Sequence, residues 1–158
     1  MEKLEFTKQL VLDAGSLIKD LMNSAVDVEE KTSKSDLVTN VDKACERFLV
    51  EGINRQFPDQ SFLTEEETVA RDLGDDLWII DPIDGTTNFI YQRENFSISV
   101  AFFHQKKPVF GIVYDVMADK MFLGITDGGA FLNGVRMSIN DQKRPLKQTI
   151  LYSDLYGL

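Results

Sequence analysis

The sequence predicts an α+β layer fold in which two long helices cover one face of an antiparallel sheet. Two stretches near the amino terminus carry apolar residues at helical spacing, over residues 2–24 and 41–57. Short apolar segments then follow one another between residues 61 and 132, separated by turn residues rather than by long connections. Helices first and closely spaced strands afterwards favour an antiparallel sheet with a helical layer.

The first predicted helix spans residues 2–24, and its apolar side chains recur every three or four positions. These are Phe6, Leu10, Ala14, Leu17, Ile18 and Leu21. A short strand or hairpin near residues 26–31 leads to the second helix, for which Thr39 or Asn40 is the predicted N-cap. Asp42 then falls in the first turn on the polar side, where the helix dipole favours a carboxylate whatever the function.

The predicted strands lie at residues 62–63, 77–80, 96–103, 109–116, 121–125 and 130–132. Turns are expected at residues 105–108, 117–120, 127–129 and 133–134, each rich in Gly, Asn, Asp, Pro or Lys. The spacing leaves no linker, so we expect one domain over residues 1–158.

Residues 78–89, Trp-Ile-Ile-Asp-Pro-Ile-Asp-Gly-Thr-Thr-Asn-Phe, are the most informative segment. Pro82 cannot donate to a sheet ladder and should end the strand, so Asp81 and Asp84 should project from the strand end and the following turn. Two carboxylates this close favour a cation between them. Mg²⁺ prefers oxygen ligands, and the Ile83 carbonyl is a further candidate ligand.

Gly85 allows a close backbone approach, and Thr86 and Thr87 resemble the opening of a helical turn, where free N–H groups attract anions. These residues are candidates to bind phosphate. The alternative is an Asp-Pro turn followed by a threonine cap.

A second acidic segment, Glu65, Glu66 and Glu67, follows a predicted strand and could deliver another acid to a strand end. Three glutamates in a row are more often a solvated surface. His104, the one histidine, is expected at the surface, because neither a zinc site nor a serine triad can be assembled around it.

The net charge of −9 and the pI of about 4.6 argue against a nucleic-acid partner, since no basic stripe is present. No segment reaches the roughly 20 apolar residues of a membrane span, and the first residues lack the pattern of a signal peptide. The single cysteine, Cys45, is expected to be a buried reduced thiol. We therefore expect a cytoplasmic protein with neither a membrane nor a nucleic-acid partner.

Three segments in order, residues 36–42, 62–66 and 78–89, resemble the inositol monophosphatase family of Mg²⁺-dependent, lithium-sensitive phosphatases related to fructose-1,6-bisphosphatase. The resemblance extends to residues 95–100 and covers essentially the whole chain. It implies the amino-terminal half of a layered αβαβα sugar-phosphatase fold, with residues 1–158 as the metal- and phosphate-binding half and the carboxy-terminal half absent from this chain.

The resemblance also implies roles for particular residues. Two or more Mg²⁺ ions would take their carboxylate ligands from Glu65, Asp81 and Asp84 and a carbonyl ligand from Ile83. Substrate phosphate would bind at Gly85, Thr86 and Thr87. Asp42 would act with Thr86 on the attacking water, alongside Glu65. Lys31 matches a lysine of a mobile loop near the family's active site, whereas Glu94 and Asn95 stand where relatives often carry proline.

The function implied is hydrolysis of a phosphate monoester, inositol monophosphate or a similar sugar phosphate, by a homodimer. Alternatives are a bisphosphate nucleotidase, a fructose-1,6-bisphosphatase-like enzyme, and a metal- or phosphate-binding module without turnover. Since the family's second half supplies another aspartate ligand, we expect this chain to be nearly inactive by itself.

Overall fold

The computed structural model describes residues 1–24, 26–30, 37–66 and 73–138. Lys31, Glu67 and the region after residue 138 lie outside the described residues. Within them the chain forms, in order, α1 (Glu2–Leu21), β1 (Val28–Glu30), β2 (Leu37–Thr39), α2 (Asn40–Gln56), β3 (Ser61–Thr64), β4 (Asp76–Asp84), α3 (Thr86–Gln92), β5 (Ser97–His104), β6 (Lys107–Asp115), β7 (Lys120–Ile125), β8 (Gly129–Leu132) and β9 (Val135–Arg136). The predicted α+β class is confirmed.

The main sheet has the strand order β3-β4-β5-β6-β7-β8-β9, and β1 pairs with β2 in a separate antiparallel hairpin. The prediction of a wholly antiparallel sheet was wrong at one edge, because β3 and β4 are parallel, with Thr64 opposite Ile80. The chain enters β3 from α2 in the same direction as it later enters β4. Parallel pairing places the residue after β3 beside the residue that follows Ile80 in β4. The candidate site lies at this end of the two strands.

Both long helices pack on the same face of the sheet, as predicted. Side chains from α1, α2, β4, β5 and β6 form one continuous core. Trp78 lies at its centre without solvent exposure, and its ring is 4.7 Å from that of Phe102 and 5.9 Å from that of Phe110. Helix α1 ends at Leu21 rather than at the predicted residue 24. None of the described helices combines the length and apolar character needed to cross a membrane.

Strand β4 does not stop at Pro82, so that prediction was wrong. Asp81 pairs with Ser99 and Asp84 pairs with Ser97, so β4 uses three steps where β5 uses two. This irregularity is a bulge, and it accommodates Pro82 because the extra residue leaves the regular ladder, where the missing N–H of proline is no loss. Asp81 and Asp84 therefore lie on either side of a bulge within a strand. They do not project from a strand end and the turn after it, as predicted.

The remaining strands form a meander with short turns, close to the predicted bounds. Gln105 and Lys106 both have positive φ, 49° and 64°, as a two-residue turn between twisted strands requires. Strand β9 was not predicted, because two exposed residues carry no periodic signal.

Candidate metal and phosphate site

The parallel pair β3–β4 delivers Glu65 and Asp81 to one edge. The Glu65 backbone N–H donates to the Ile80 carbonyl oxygen at 3.2 Å, which extends the ladder one residue past β3. Hydrogen bonding between the carboxyl groups of Glu65 and Asp81 is one cause that raises the pKa of Asp81. Two acids so placed are compatible when one of them carries a proton or when a cation takes the place of that proton.

The surroundings of Asp81 disfavour its charge. Burial, the largest cause, acts together with the hydrogen bond to Glu65 and the charges of Glu65 and Asp84, and these raise the pKa of the Asp81 carboxyl to about 8 against a smaller opposing effect of the Ile83 backbone N–H. Among the described side chains, Asp81 Oδ1 is the one buried polar atom that has no hydrogen-bond partner. A buried carboxylate oxygen without a partner is costly unless a ligand completes it.

The other predicted metal ligands lie across the bulge. Asp84 is exposed, and Ile83 is buried with its carbonyl oxygen 3.0 Å from the Thr86 hydroxyl. Across the described ranges, no three His, Cys, Asp or Glu side chains come close enough together to surround a metal ion. The structure thus places Glu65 and Asp81 at one cavity, and the charge of Asp84 acts on Asp81 from across the bulge.

These residues fit a hard divalent cation. The donors are all oxygens, which is the preference of Mg²⁺, and that ion commonly takes only a few protein ligands. The unpartnered Asp81 Oδ1 gives one such donor. A carbonyl oxygen has two lone pairs, so Ile83 can accept the Thr86 hydroxyl and still bind a cation.

Asp42 lies in the first turn of α2 and forms a capping box with Thr39. The Thr39 hydroxyl donates to Asp42 Oδ2, the Thr39 N–H donates to the same oxygen at 2.9 Å, and the Thr39 oxygen accepts from the Val41 and Asp42 N–H groups. Asp42 was predicted on the polar side of the helix, but the structure buries this residue, which is only 1% exposed. Burial raises the pKa of Asp42, although hydrogen bonds from Thr39 and Thr86 oppose the shift.

Thr86 connects Asp42 to the metal-site strand. Its hydroxyl lies 3.2 Å from Asp42 Oδ1 and 3.0 Å from the Ile83 carbonyl oxygen. A hydroxyl has one proton, so it donates to one of these acceptors at a time and can pass between them. The contact joins α2, the bulge of β4 and the start of α3.

Gly85 is required by its backbone conformation. Its φ is 95°, and a Cβ atom here would lie 3.1 Å from the Asn95 carbonyl oxygen. Gly85 caps α3, and its carbonyl accepts the Phe89 N–H at 2.9 Å. Thr86 and the exposed Thr87 open that helix, as predicted.

Two open cavities flank the bulge on the sheet face opposite the long helices. One of about 350 Å³ is lined by Glu65, Asp81 and Ser99 among others, and the second, of about 490 Å³, by Asp84, Gly85 and Asn95 among others. Each is large enough for a small polar ligand. A substrate near the carboxylates would therefore have room on either side.

Sequence reasoning missed two buried residues of α2 that face this site. Cys45 Sγ lies 3.7 Å from the Pro82 carbonyl oxygen, and Glu46 Oε2 accepts the Glu66 N–H at 2.7 Å. Cys45 was expected to be buried but was given no role, and Glu46 was not singled out. The available signal was spacing, because residues three and four positions after Asp42 lie on its face of the helix.

Known proteins match this chain along nearly its whole length. The sequence profile described as "Inositol monophosphatase family" matches residues 1–157. An inositol-1-monophosphatase of Bacillus subtilis is 36% identical over 149 residues, covering 93% of this chain and 54% of that protein. A fructose-1,6-bisphosphatase/inositol-1-monophosphatase of Thermotoga maritima is 36% identical over 141 residues, covering 89% of this chain and 54% of that protein.

Solved structures agree with the sequence matches. The structure of an IMPase from Thermotoga maritima superposes with a TM-score of 0.82 at 34% identity, covering 90% of this chain and 55% of that one. The chain spans about half the length of the relatives it matches.

Proposed function

We propose that this chain, which belongs to the inositol monophosphatase family, takes part in metal-dependent hydrolysis of a phosphate monoester, with inositol monophosphate or a similar sugar phosphate as substrate. Mg²⁺, in two or more ions, is the proposed cofactor. In this proposal residues 1–158 are the metal- and phosphate-binding half of the enzyme.

The observation that carries this proposal is the buried Asp81 Oδ1, which has no partner and lies beside the carboxyl of Glu65. In a purely structural carboxylate, a cation or donor from the chain would compensate such an atom. A bound divalent cation would compensate it and reverse the local electrostatics that keep Asp81 protonated.

We assign the metal-holding role to Glu65, Asp81 and Asp84 with the Ile83 carbonyl. When bound, Mg²⁺ lowers the pKa of water and offsets negative charge on a phosphoryl group. Gly85, Thr86 and Thr87 would orient the phosphate through backbone N–H groups and hydroxyls. Asp42 would accept a hydrogen bond from the Thr86 hydroxyl. The oxygen of that hydroxyl would then orient the attacking water.

A second candidate function is fructose-1,6-bisphosphatase-like hydrolysis. The Thermotoga relative named for both activities supports it, because it matches this chain as well as the inositol-1-monophosphatase does. A bisphosphate nucleotidase shares the same metal chemistry. A binding module without turnover is the alternative outside the enzyme class. The cytoplasmic location and the homodimer expected from the sequence stay predictions.

The test is phosphate release at millimolar Mg²⁺ from inositol monophosphate, fructose 1,6-bisphosphate and a 3′,5′-bisphosphate nucleotide. We expect a preference for inositol monophosphate, and only weak release by the 158-residue chain compared with a chain of the relatives' full length. Turnover of any monoester excludes the binding module, and faster release from fructose 1,6-bisphosphate would favour the second candidate. Absence of any Mg²⁺ binding would contradict the proposal.

A further inference from the structure

Glu46 is a glutamate on α2 with no solvent exposure. Full burial of this residue type is rare unless a partner compensates its charge. Its Oε2 accepts the backbone N–H of Glu66 at 2.7 Å, the short distance typical of a bond to a charged acceptor. An apolar residue would serve packing here at lower cost, so the burial of Glu46 requires another explanation.

One face of α2 contacts three separate segments around the candidate metal site. Asp42 accepts from Thr86, Cys45 faces the Pro82 carbonyl oxygen, and Glu46 holds the loop after β3. These residues stand at positions i, i+3 and i+4, which share one side of a helix. A single rigid helix therefore holds the start of α3, the bulge of β4 and the loop that carries Glu65.

The Glu66 N–H is the first peptide group past the sheet ladder. The Glu65 N–H donates to the Ile80 carbonyl oxygen at 3.2 Å, and the next N–H donates to Glu46. Glu65 thus lies between two anchored peptide groups although its own side chain is exposed. If the second anchor were lost, the chain could turn away just after the ladder and take the Glu65 carboxylate away from Asp81.

We propose that Glu46 is a positioning residue, which holds the Glu65 carboxylate beside Asp81 through the Glu66 N–H and so preorganises the cation site. This inference rests on the proposed function, because it assigns a purpose to the Glu65–Asp81 pair. Loss of a hydrogen-bonding partner that orients a metal ligand typically lowers metal affinity by about 10- to 100-fold.

Two variants separate the reach of Glu46 from its charge. Glu46→Gln keeps the length and an acceptor oxygen but removes the charge, whereas Glu46→Asp keeps the charge but is one methylene too short to reach the Glu66 N–H. Glu51→Gln is the matched control, since Glu51 is an exposed glutamate of the same helix. Mn²⁺ is the probe, because it prefers the same oxygen ligands as Mg²⁺ and its free concentration is measured by electron paramagnetic resonance.

We expect Glu46→Asp to weaken Mn²⁺ binding by about 10-fold or more, the usual effect of removing such a partner. Glu46→Gln and Glu51→Gln should bind close to wild type. Hydrogen exchange of the metal-free proteins gives a second readout, in which the Glu66 amide should lose protection in Glu46→Asp and keep it in Glu46→Gln. In a Glu65→Gln background, Glu46→Asp should cause no further loss of Mn²⁺ affinity.

Equal losses of Mn²⁺ affinity in Glu46→Asp and Glu46→Gln would overturn the inference, because Glu46→Gln retains the reach to the Glu66 N–H and should bind like wild type. Wild-type affinity in a folded Glu46→Asp would also overturn it, as would full additivity with Glu65→Gln. If Glu46→Asp does not fold, Glu46→Gln alone decides. A loss of Mn²⁺ affinity of about 10-fold in that variant overturns the inference, and affinity close to wild type supports it. A wild-type chain that binds no Mn²⁺ would overturn the proposed function as well, so the two failures are distinguishable.

Discussion

Asp76 and Asp81 lie on the same strand, β4, and their carboxylates have opposite surroundings. Asp76 accepts from Lys3 at 2.6 Å and lies 2.5 Å from His104 Nδ1. The bond from Lys3, followed by that from His104, holds the pKa of Asp76 below its usual value. Asp81 instead meets burial and the acid Glu65, which raise its pKa to about 8.

The difference separates a carboxylate that the chain itself compensates from one that the described residues leave uncompensated. At the start of β4 the chain supplies its own cation, and Lys3 also lies 4.2 Å from the centre of the Phe102 ring and donates to Gln60 at 2.7 Å. Near the end of β4 the described residues leave a buried oxygen without a partner. Natural proteins keep such an uncompensated group mainly where a ligand or reaction uses it.

The largest expected effect is the loss of metal response in Asp81→Asn. At a Mg²⁺ concentration about 100 times its Kd, wild type should gain about 2.7 kcal/mol in free energy of unfolding by mass action. Asp81→Asn should gain almost nothing, because the amide brings no charge to the cation. Thermal melts with and without Mg²⁺ measure the gain. Asp76→Asn is the matched control and should respond like wild type; equal responses in both variants would contradict the assignment.

Thr86→Ala tests the hydroxyl that joins Asp42 to the bulge, in a form of the protein that hydrolyses a monoester. We expect kcat to fall by about 10²-fold with little change in KM, since the hydroxyl acts in the transition state. Thr86→Ser retains the hydroxyl and should keep most of the activity. A rise in KM at full kcat would reduce Thr86 to a structural role.

The pH dependence of metal binding should follow the proton on Asp81. With a pKa of about 8, this carboxyl must lose a proton when the cation binds. Mg²⁺ affinity should therefore rise by up to about tenfold per pH unit below pH 8, as one displaced proton requires. Calorimetric titrations at pH 6, 7 and 8 measure this rise, and a flat profile would be inconsistent with a proton shared by Asp81 and Glu65.

The raised pKa of Asp81 also predicts how the stability of the metal-free chain depends on pH. Because the folded-state pKa of Asp81 is raised from 3.8 to about 8, its contribution to stability is present below pH 3.8 and is lost as pH rises toward 8. Asp81→Asn should remove this decline. Denaturant unfolding in the presence of a chelator, from pH 5 to pH 8, compares the two proteins.

The smallest expected effect is the change in stability when the carboxylate of Asp76 is removed. Asp76→Asn should lower the free energy of unfolding by about 1 kcal/mol or less at pH 7, because the pair with Lys3 is partly exposed. The folded-state pKa is lowered from 3.8, so this stability is present above pH 3.8 and is lost as pH falls through the lowered value. Glu5→Gln, which breaks an exposed pair with Lys8, is the control and should change little. A larger loss in Glu5→Gln would contradict the ranking.

Much of the site could be predicted from local sequence. The segment Asp81-Pro-Ile-Asp84 identifies two candidate acids, and the glycine after it indicates a close approach of the backbone. Thr39 and Asp42 have the spacing of capping residues and so indicate the start of a helix. The bounds of α2 and of the central strands followed because long periodic segments carry a strong local signal.

Contacts between distant segments could not be predicted in this way. Only the parallel pairing of β3 with β4 brings Glu65 to Asp81, and the sequence equally allowed an antiparallel edge. The bulge that admits Pro82 depends on how β4 meets β5. The burial of Asp42, the 3.2 Å contact from Thr86 and the bond from Glu66 to Glu46 all depend on where α2 packs against the sheet.

The sequence by itself determined which groups this protein can use: oxygen ligands, a glycine and hydroxyls, with no histidine base near the motif. The tertiary structure alone decided how those groups are charged. A pKa depends on burial and on neighbours that are remote in the chain, so two aspartates five residues apart acquire opposite shifts.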